Sequence, residues 1–141
     1  MLSIFQTKNC FNLKTHQISG VITIANDVPY TVALVAQSLK LNGISLQAAK
    51  FTSNKLLMKN KFKKFGIPTP SFVALKEKSK FFKKIKEMKF PLVLKPSDGR
   101  GARGVLYLDE TTDLSWAWDH SLENSDNKIL LLEEYVIGDQ L

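Results

Sequence analysis

The sequence predicts an α/β (α+β) fold built mainly on the order β-α-β-β-α-β, and three observations carry that prediction. Short runs rich in Val, Ile, Leu and Phe alternate with segments whose apolar residues recur at helical spacing. Glycine and proline clusters at Asn42-Gly43, residues 66–70 and residues 96–104 separate the runs. The 141-residue chain is 44% hydrophobic and 23% charged, ordinary for a globular protein and unlike disordered, collagen-like or disulfide-scaffold chains.

Taken in order, residues 18–24 (ISGVITI) read as a strand closed by a turn at residues 25–29. A helix follows over residues 30–41. Val32, Val35, Ala36 and Leu39 share one of its faces, Pro29 suits its first turn, and Gly43 suits its C-terminal cap. A short helix is expected at residues 45–50. Thr52 or Ser53 is expected to cap the next helix, which runs to Phe65 with Leu56 and Leu57 on an apolar face and Lys61 and Lys64 on a basic one. Pro68 and Pro70 end it, because neither can continue a helical ladder. A strand at residues 71–75 and a lysine-rich amphipathic helix at 79–88 come next, then a strand at 90–95 (FPLVLK) and a glycine loop at 96–104. The series closes with a strand at 105–108, a helix at 111–121 bearing Trp116 and Trp118, and a largely buried strand at 128–136 (KILLLEEYV). The best division lies near residue 50, giving segments 1–50 and 51–141.

Charge is unevenly spread over a net +7. Fifteen of the 20 Lys and Arg lie between Lys55 and Arg103, a stretch with three acids; from Gly104 onward nine acids face one base, Lys128. A basic middle fits an anionic partner such as a polyphosphate, a nucleic acid or a membrane surface, and equally a solvated helix face. Cys10 is the only cysteine, which excludes an intrachain disulfide and fits a reducing compartment. No apolar run approaches the ~18 residues that span a bilayer. The opening MLSIFQTKNCFNLK lacks the order of a signal peptide, so a cytoplasmic location is expected.

Residues 99–104, Gly-Arg-Gly-Ala-Arg-Gly, match GxGxxG. A dinucleotide-binding fingerprint must open a helix, whereas this loop leads into Val105-Leu106-Tyr107-Leu108, which has strand composition. It therefore joins two strands, as a glycine flap over phosphates does in kinase-like sites. Glycines let backbone N–H groups approach phosphate oxygens, and Lys95 ends the preceding strand where its ammonium can reach the same oxygens. A lysine after Pro-Leu-Val-Leu is hard to explain by packing. The loop also reads as a tight glycine hairpin with solvated arginines. Glu133 and Glu134 follow the apolar run 129–132; they suit either an adenine-reading strand edge or a solvated strand end.

Four segments, SNKLLMKNKFKKFGIPTP, FPLVLKPSDGRGARGV, the tryptophan-bearing helix and LLEEYVIGDQL, occur in the order found in the ATP-grasp superfamily. Over residues 18–141 the chain resembles the branch containing carbamoyl-phosphate synthase, biotin carboxylase and the carboxylate–amine ligases. The resemblance implies that residues 1–50 are the end of a pre-ATP-grasp, Rossmann-like domain and that residues 51–141 are an incomplete N-terminal ATP-grasp lobe. Lys55 then matches the first phosphate-binding lysine and Lys95 the second. Residues 97–104, with Ser97, Gly99, Gly101, Arg103 and Gly104, match the phosphate flap. Glu133 and the backbone of Glu134, Tyr135 and Val136 match the adenine hinge. Gln140 stands where the family has a ribose-binding glutamate, and it forgoes the charge-assisted bond.

The resemblance assigns ATP as ligand and Mg²⁺ to the complete fold, but no catalytic or metal-binding residue before Leu141. The expected function is therefore the ATP-binding part of a ligase that activates a carboxylate as an acyl phosphate for attack by an amine or another nucleophile. A second chain supplying the C-terminal half is a possible partner, and weak nucleotide binding without turnover is expected of this chain. The alternatives are a basic nucleic-acid-binding module, or an inactive remnant without ligand.

Overall fold

The computed structural model describes residues 17–25 and 27–138; Cys10 and Gln140 lie outside them. The chain divides into two compact units, Met1–Lys50 and Phe51–Leu141.

In the first unit, helix α1 (Pro29–Ser38) starts on the expected proline and buries Ala33 and Ala36. Its end differs from the expectation. Lys40, not Gly43, takes the left-handed conformation (φ 56°), while Lys40 N–H donates to Gln37 O at 3.1 Å and Leu41 N–H to Ala36 O at 2.8 Å. That double bond pattern satisfies two terminal carbonyls and stops the helix one turn early. Gly43 serves a close approach instead: a Cβ there would sit 3.1 Å from the Ala36 Cβ. Helix α2 (Leu46–Thr52) is opened by Ser45, whose hydroxyl accepts from Ala48 N–H at 3.1 Å. The strand expected at residues 18–24 is absent; these residues are irregular, and Ile22 and Ile24 are 83% and 82% exposed. A β-branched run becomes a strand only where a neighbouring strand pairs with it, and the sheet among the described residues takes in no strand from this run.

The second unit opens with α3 (Lys55–Lys64), capped by Asn54 and not by Thr52 or Ser53; the Asn54 Oδ1 accepts from Leu57 N–H at 3.0 Å. Then follow β1 (Phe72–Leu75), α4 (Lys78–Ile85), β2 (Leu92–Pro96), β3 (Leu106–Leu108), α5 (Leu114–Glu123) and β4 (Leu130–Glu134), the order read from the sequence. Asp113 caps α5 by accepting from Ser115 and Trp116 N–H at 2.9 and 3.0 Å. The four strands form one antiparallel sheet in the order β1-β4-β2-β3, so the last strand is inserted between the first two.

Because side chains alternate along a strand, each face of this sheet is set by register. Leu75, Leu92, Leu94, Leu108, Leu130 and Leu132 pack on one face with Phe81 and Ile85 of α4 and Ala117 and Trp118 of α5. Phe81 is fully buried, and its ring centroid lies 5.3 Å from that of Trp118. The lysines of α4 line its outer side. Several are paired there: Lys78 with Asp119 at 2.6 Å, Lys80 with Glu77 at 2.6 Å and Lys84 with Glu87 at 2.8 Å. Such exposed pairs add little stability. With Phe81 and Ile85 committed to the core, this helix gives the basic surface no base-stacking platform. No helix among the described residues is long and apolar enough to cross a membrane.

Two outcomes follow. Phe81→Ala should lower unfolding free energy by about 3–5 kcal/mol, read from denaturant titration, because it empties the centre of the core. Asp109, just past β3, accepts from Thr111 Oγ1 at 2.8 Å, Thr112 Oγ1 at 2.9 Å and Thr111 N–H at 2.9 Å. These bonds, the Thr111 hydroxyl first, hold its carboxyl below the usual value. Their stabilisation is present above the ordinary carboxylate range and lost as pH falls through the lowered value. Acid titration of Asp109→Asn should therefore lack that part of the wild-type acid limb.

Candidate functional site

The second face of the sheet carries the polar groups. On β4, Leu131 and Glu133 point opposite to Leu130 and Leu132, and Glu133 lies between Phe72 of β1 and Val93 of β2. Lys95, two residues after Val93, shares this face. Its Nζ is 2.9 Å from Glu133 Oε2, and Lys59 Nζ of α3 is 3.1 Å from the same oxygen. Lys59 also donates to Thr69 Oγ1 at 3.0 Å and lies 5.2 Å from the centroid of the Phe72 ring. Glu133 is only 3% exposed and Lys59 5%, whereas the Lys95 side chain is 20% exposed. The other carboxylate oxygen, Glu133 Oε1, is buried without a hydrogen-bond partner among the described residues.

This arrangement is costly as pure structure. An unsatisfied buried acceptor costs about 1–3 kcal/mol, and desolvating ion pairs offsets much of their attraction. An apolar triad would hold the strands at least as well. The charges converge on an acceptor left open among the described residues and an ammonium left partly accessible, which makes this face the candidate site.

Beside it lies the loop between β2 and β3, tied down at both ends. The Lys55 N–H, first in α3, donates to Ser97 O at 2.7 Å, and the Lys55 Nζ donates to Gly99 O. Asn127 Nδ2 donates to Ser97 Oγ at 2.9 Å, and Asn127 N–H to Asp98 Oδ2 at 2.7 Å. Ser125 Oγ donates to Asp98 Oδ1 at 3.0 Å. At the far end Gly104 is buried with φ +67°; a Cβ there would lie 2.7 Å from Asn124 Cβ, and its carbonyl accepts from Ser121 Oγ at 2.8 Å. Only glycine fits that post. Between the two ends, residues 100–103 are exposed, with Gly101 and Ala102 both at φ 58°.

The residues singled out in the sequence divide accordingly. Lys95 and Glu133 meet directly, and Lys55 reaches the loop that contains Ser97, Gly99, Gly101, Arg103 and Gly104. Arg103 Nε lies 3.4 Å from Arg100 O at the loop surface. Along the hinge, Glu134 N–H donates to Ser71 O at 3.0 Å and Tyr135 N–H to Pro91 O at 3.2 Å. The Tyr135 ring meets Tyr107 edge to face at 5.1 Å, and Val136 is exposed. Asp98 falls within the expected flap, 97–104, without a role of its own there, and the sequence does not single out Lys59, Ser125 or Asn127. For Lys59 a signal existed: it follows Lys55 by four residues and so shares its helix face. A hollow of about 240 Å³ at the α5 side of the loop, lined by Asp98, Arg100, Arg103, Glu123, Asn124 and Asp126 among others, mixes both signs of charge and does not include Lys95 or Glu133. The lysine–glutamate face is the better candidate because its charges converge.

Removing the anchor should free the loop. Asp98→Ala deletes two hydrogen bonds to a carboxylate and should cost about 1.5–3 kcal/mol of stability. Limited trypsin digestion should then cut after Arg100 and Arg103 faster than in the wild type.

No protein-family profile matches the chain. It is 33% identical over 81 residues to a carbamoyl-phosphate synthase from Methanobrevibacter smithii, a match covering 55% of this chain and 22% of that protein. Among solved structures, D-alanine–D-alanine ligase from Helicobacter pylori superimposes with a TM-score of 0.65 at 27% identity, covering 79% of this chain and 34% of that one. The biotin carboxylase domain of 2-oxoglutarate carboxylase from Hydrogenobacter thermophilus, solved with MgADP and bicarbonate, shares the fold with a TM-score of 0.66 at 22% identity. That match covers 78% of this chain and 26% of that one. The chain thus spans about a quarter to a third of the length of the solved relatives. Sequence and fold agree: the chain is similar to ATP-grasp enzymes and has an ATP-grasp-like fold.

Proposed function

We infer that this chain is the ATP-binding part of an ATP-grasp ligase. The observation that carries the reading is the meeting of Lys95 and Glu133 on one sheet face, beside a glycine loop, with Glu133 Oε1 lacking a donor among the described residues. The open acceptor suits the exocyclic amine of adenine, which supplies an N–H. Lys95 suits a phosphate, because its ammonium is partly accessible and can exchange one anion for another. Backbone N–H groups of the glycine loop, with Lys55 at its root, suit the rest of the polyphosphate. The exposed Val136, past β4, suits packing on the base.

In the complete enzyme an oxygen of the substrate carboxylate attacks the γ-phosphorus and ADP leaves. An amine or another nucleophile then attacks the acyl carbon and displaces phosphate. Positioning and charge neutralisation supply nearly all of such catalysis, which is the part Lys55, Lys95 and the loop would contribute. Magnesium belongs to this chemistry in the family. Among the described residues no group of three or more His, Cys, Asp or Glu converges to hold a metal, so no step is assigned to it here. The segment up to Lys50 is read as the end of the domain that precedes the ATP-grasp lobe, and the protein as cytoplasmic. The remaining half of the fold, in the same or a second chain, would supply the carboxylate site.

Lys95→Ala tests the reading. It should weaken ATP binding tenfold to hundredfold, about 1.5–3 kcal/mol, measured by calorimetric titration. The fold should survive because Lys59 still pairs with Glu133. An unchanged dissociation constant removes Lys95 from the site.

A further inference from the structure

The geometry points to Lys59 as a positioning residue: it is the counter-ion that Glu133 keeps when Lys95 turns to a phosphate. This rests on the nucleotide-binding reading and deepens it. Two ammonium groups share one oxygen, Glu133 Oε2, and they are not equivalent. Lys59 is almost wholly buried, held by the Thr69 hydroxyl and lying against the Phe72 ring, so it has nowhere else to go. Lys95 is the more exposed of the two and is the last residue but one of β2, near the loop.

Were Lys95 the sole partner of Glu133, recruiting it to a phosphate would leave a bare carboxylate in a site only 3% exposed. Breaking a buried pair in that way is strongly unfavourable, and the cost would come directly out of nucleotide affinity. The second ammonium removes that cost. It also pins Oε2, so that Oε1 keeps its direction as the open acceptor. Lys59 touches no nucleotide in this scheme; it makes Lys95 exchangeable.

The test is a double-substitution cycle on the full chain, with ATP affinity measured by calorimetry and folding checked by thermal melting. Lys59→Met should lower ATP affinity by about tenfold or more, because Lys95 is then held by a carboxylate with no other partner. Lys59→Arg should restore most of it. With Glu133→Gln the buried charge is gone, so Glu133→Gln and Lys59→Met/Glu133→Gln should bind ATP within about twofold of each other. That comparison stands even if Lys59→Met does not fold. A folded Lys59→Met protein with wild-type affinity overturns the inference, as does an undiminished Lys59 effect in the glutamine background. Wild-type protein that binds no ATP overturns the nucleotide-binding reading itself, and this inference with it.

Discussion

A carboxylate buried in the second face of a four-stranded sheet, compensated by two ammonium groups of unequal freedom, is the constraint around which this unit is organised. It has a net favourable role only if something is gained from the open oxygen and the accessible lysine, since buried ion pairs seldom improve on apolar packing. Every nearby feature serves that geometry. Register places Glu133 between Phe72 and Val93, α3 brings Lys59 over Phe72, and the Thr69 hydroxyl accepts a hydrogen bond from the Lys59 ammonium.

The strand order makes this possible. Inserting β4 between β1 and β2 gives its residues neighbours on both sides, so Leu130 and Leu132 centre the core while Glu133 centres the opposite face. A one-residue slip in β4 would drive Glu133 into the leucine layer and turn two leucines outward. The hydrophobic layer thus fixes the position of the charge: Phe81 and Trp118, on the leucine face, hold the register that places Glu133 on the other.

Much of this was legible in the residues. The apolar runs, the segments of helical spacing and the glycine and proline breaks predicted the element order, including the glycine loop that leads into another strand. What failed did so for local or missing-neighbour reasons. The ISGVITI run has strand composition but is not one of the strands of the sheet. Lys40 took the left-handed cap because the two bonds back to Gln37 and Ala36 offset its modest strain. Asn54 displaced Thr52 and Ser53 because α2 already runs through Thr52, leaving Asn54 next to the first residue of α3. Lys59 was invisible as a buried group because burial of a lysine is a tertiary outcome, set by Phe72, Thr69 and Glu133 from three other segments. Asn127 joins Ser97 and Asp98 across a gap in sequence that no periodicity connects.

The loop's two fastenings have a consequence for how sequence change is tolerated. Ser97 and Asp98 at one root, and Gly104 at the other, are specified atom by atom through Asn127, Ser125, Ser121 and Asn124. The exposed crest at residues 100–103 is specified only by backbone freedom, since its side chains meet solvent. Drift, and even lengthening, can accumulate on the crest at little thermodynamic cost, because closure entropy grows slowly with span. In a visor of this kind the rim can be rewritten while the pivots, and with them the stability of the scaffold, are left untouched.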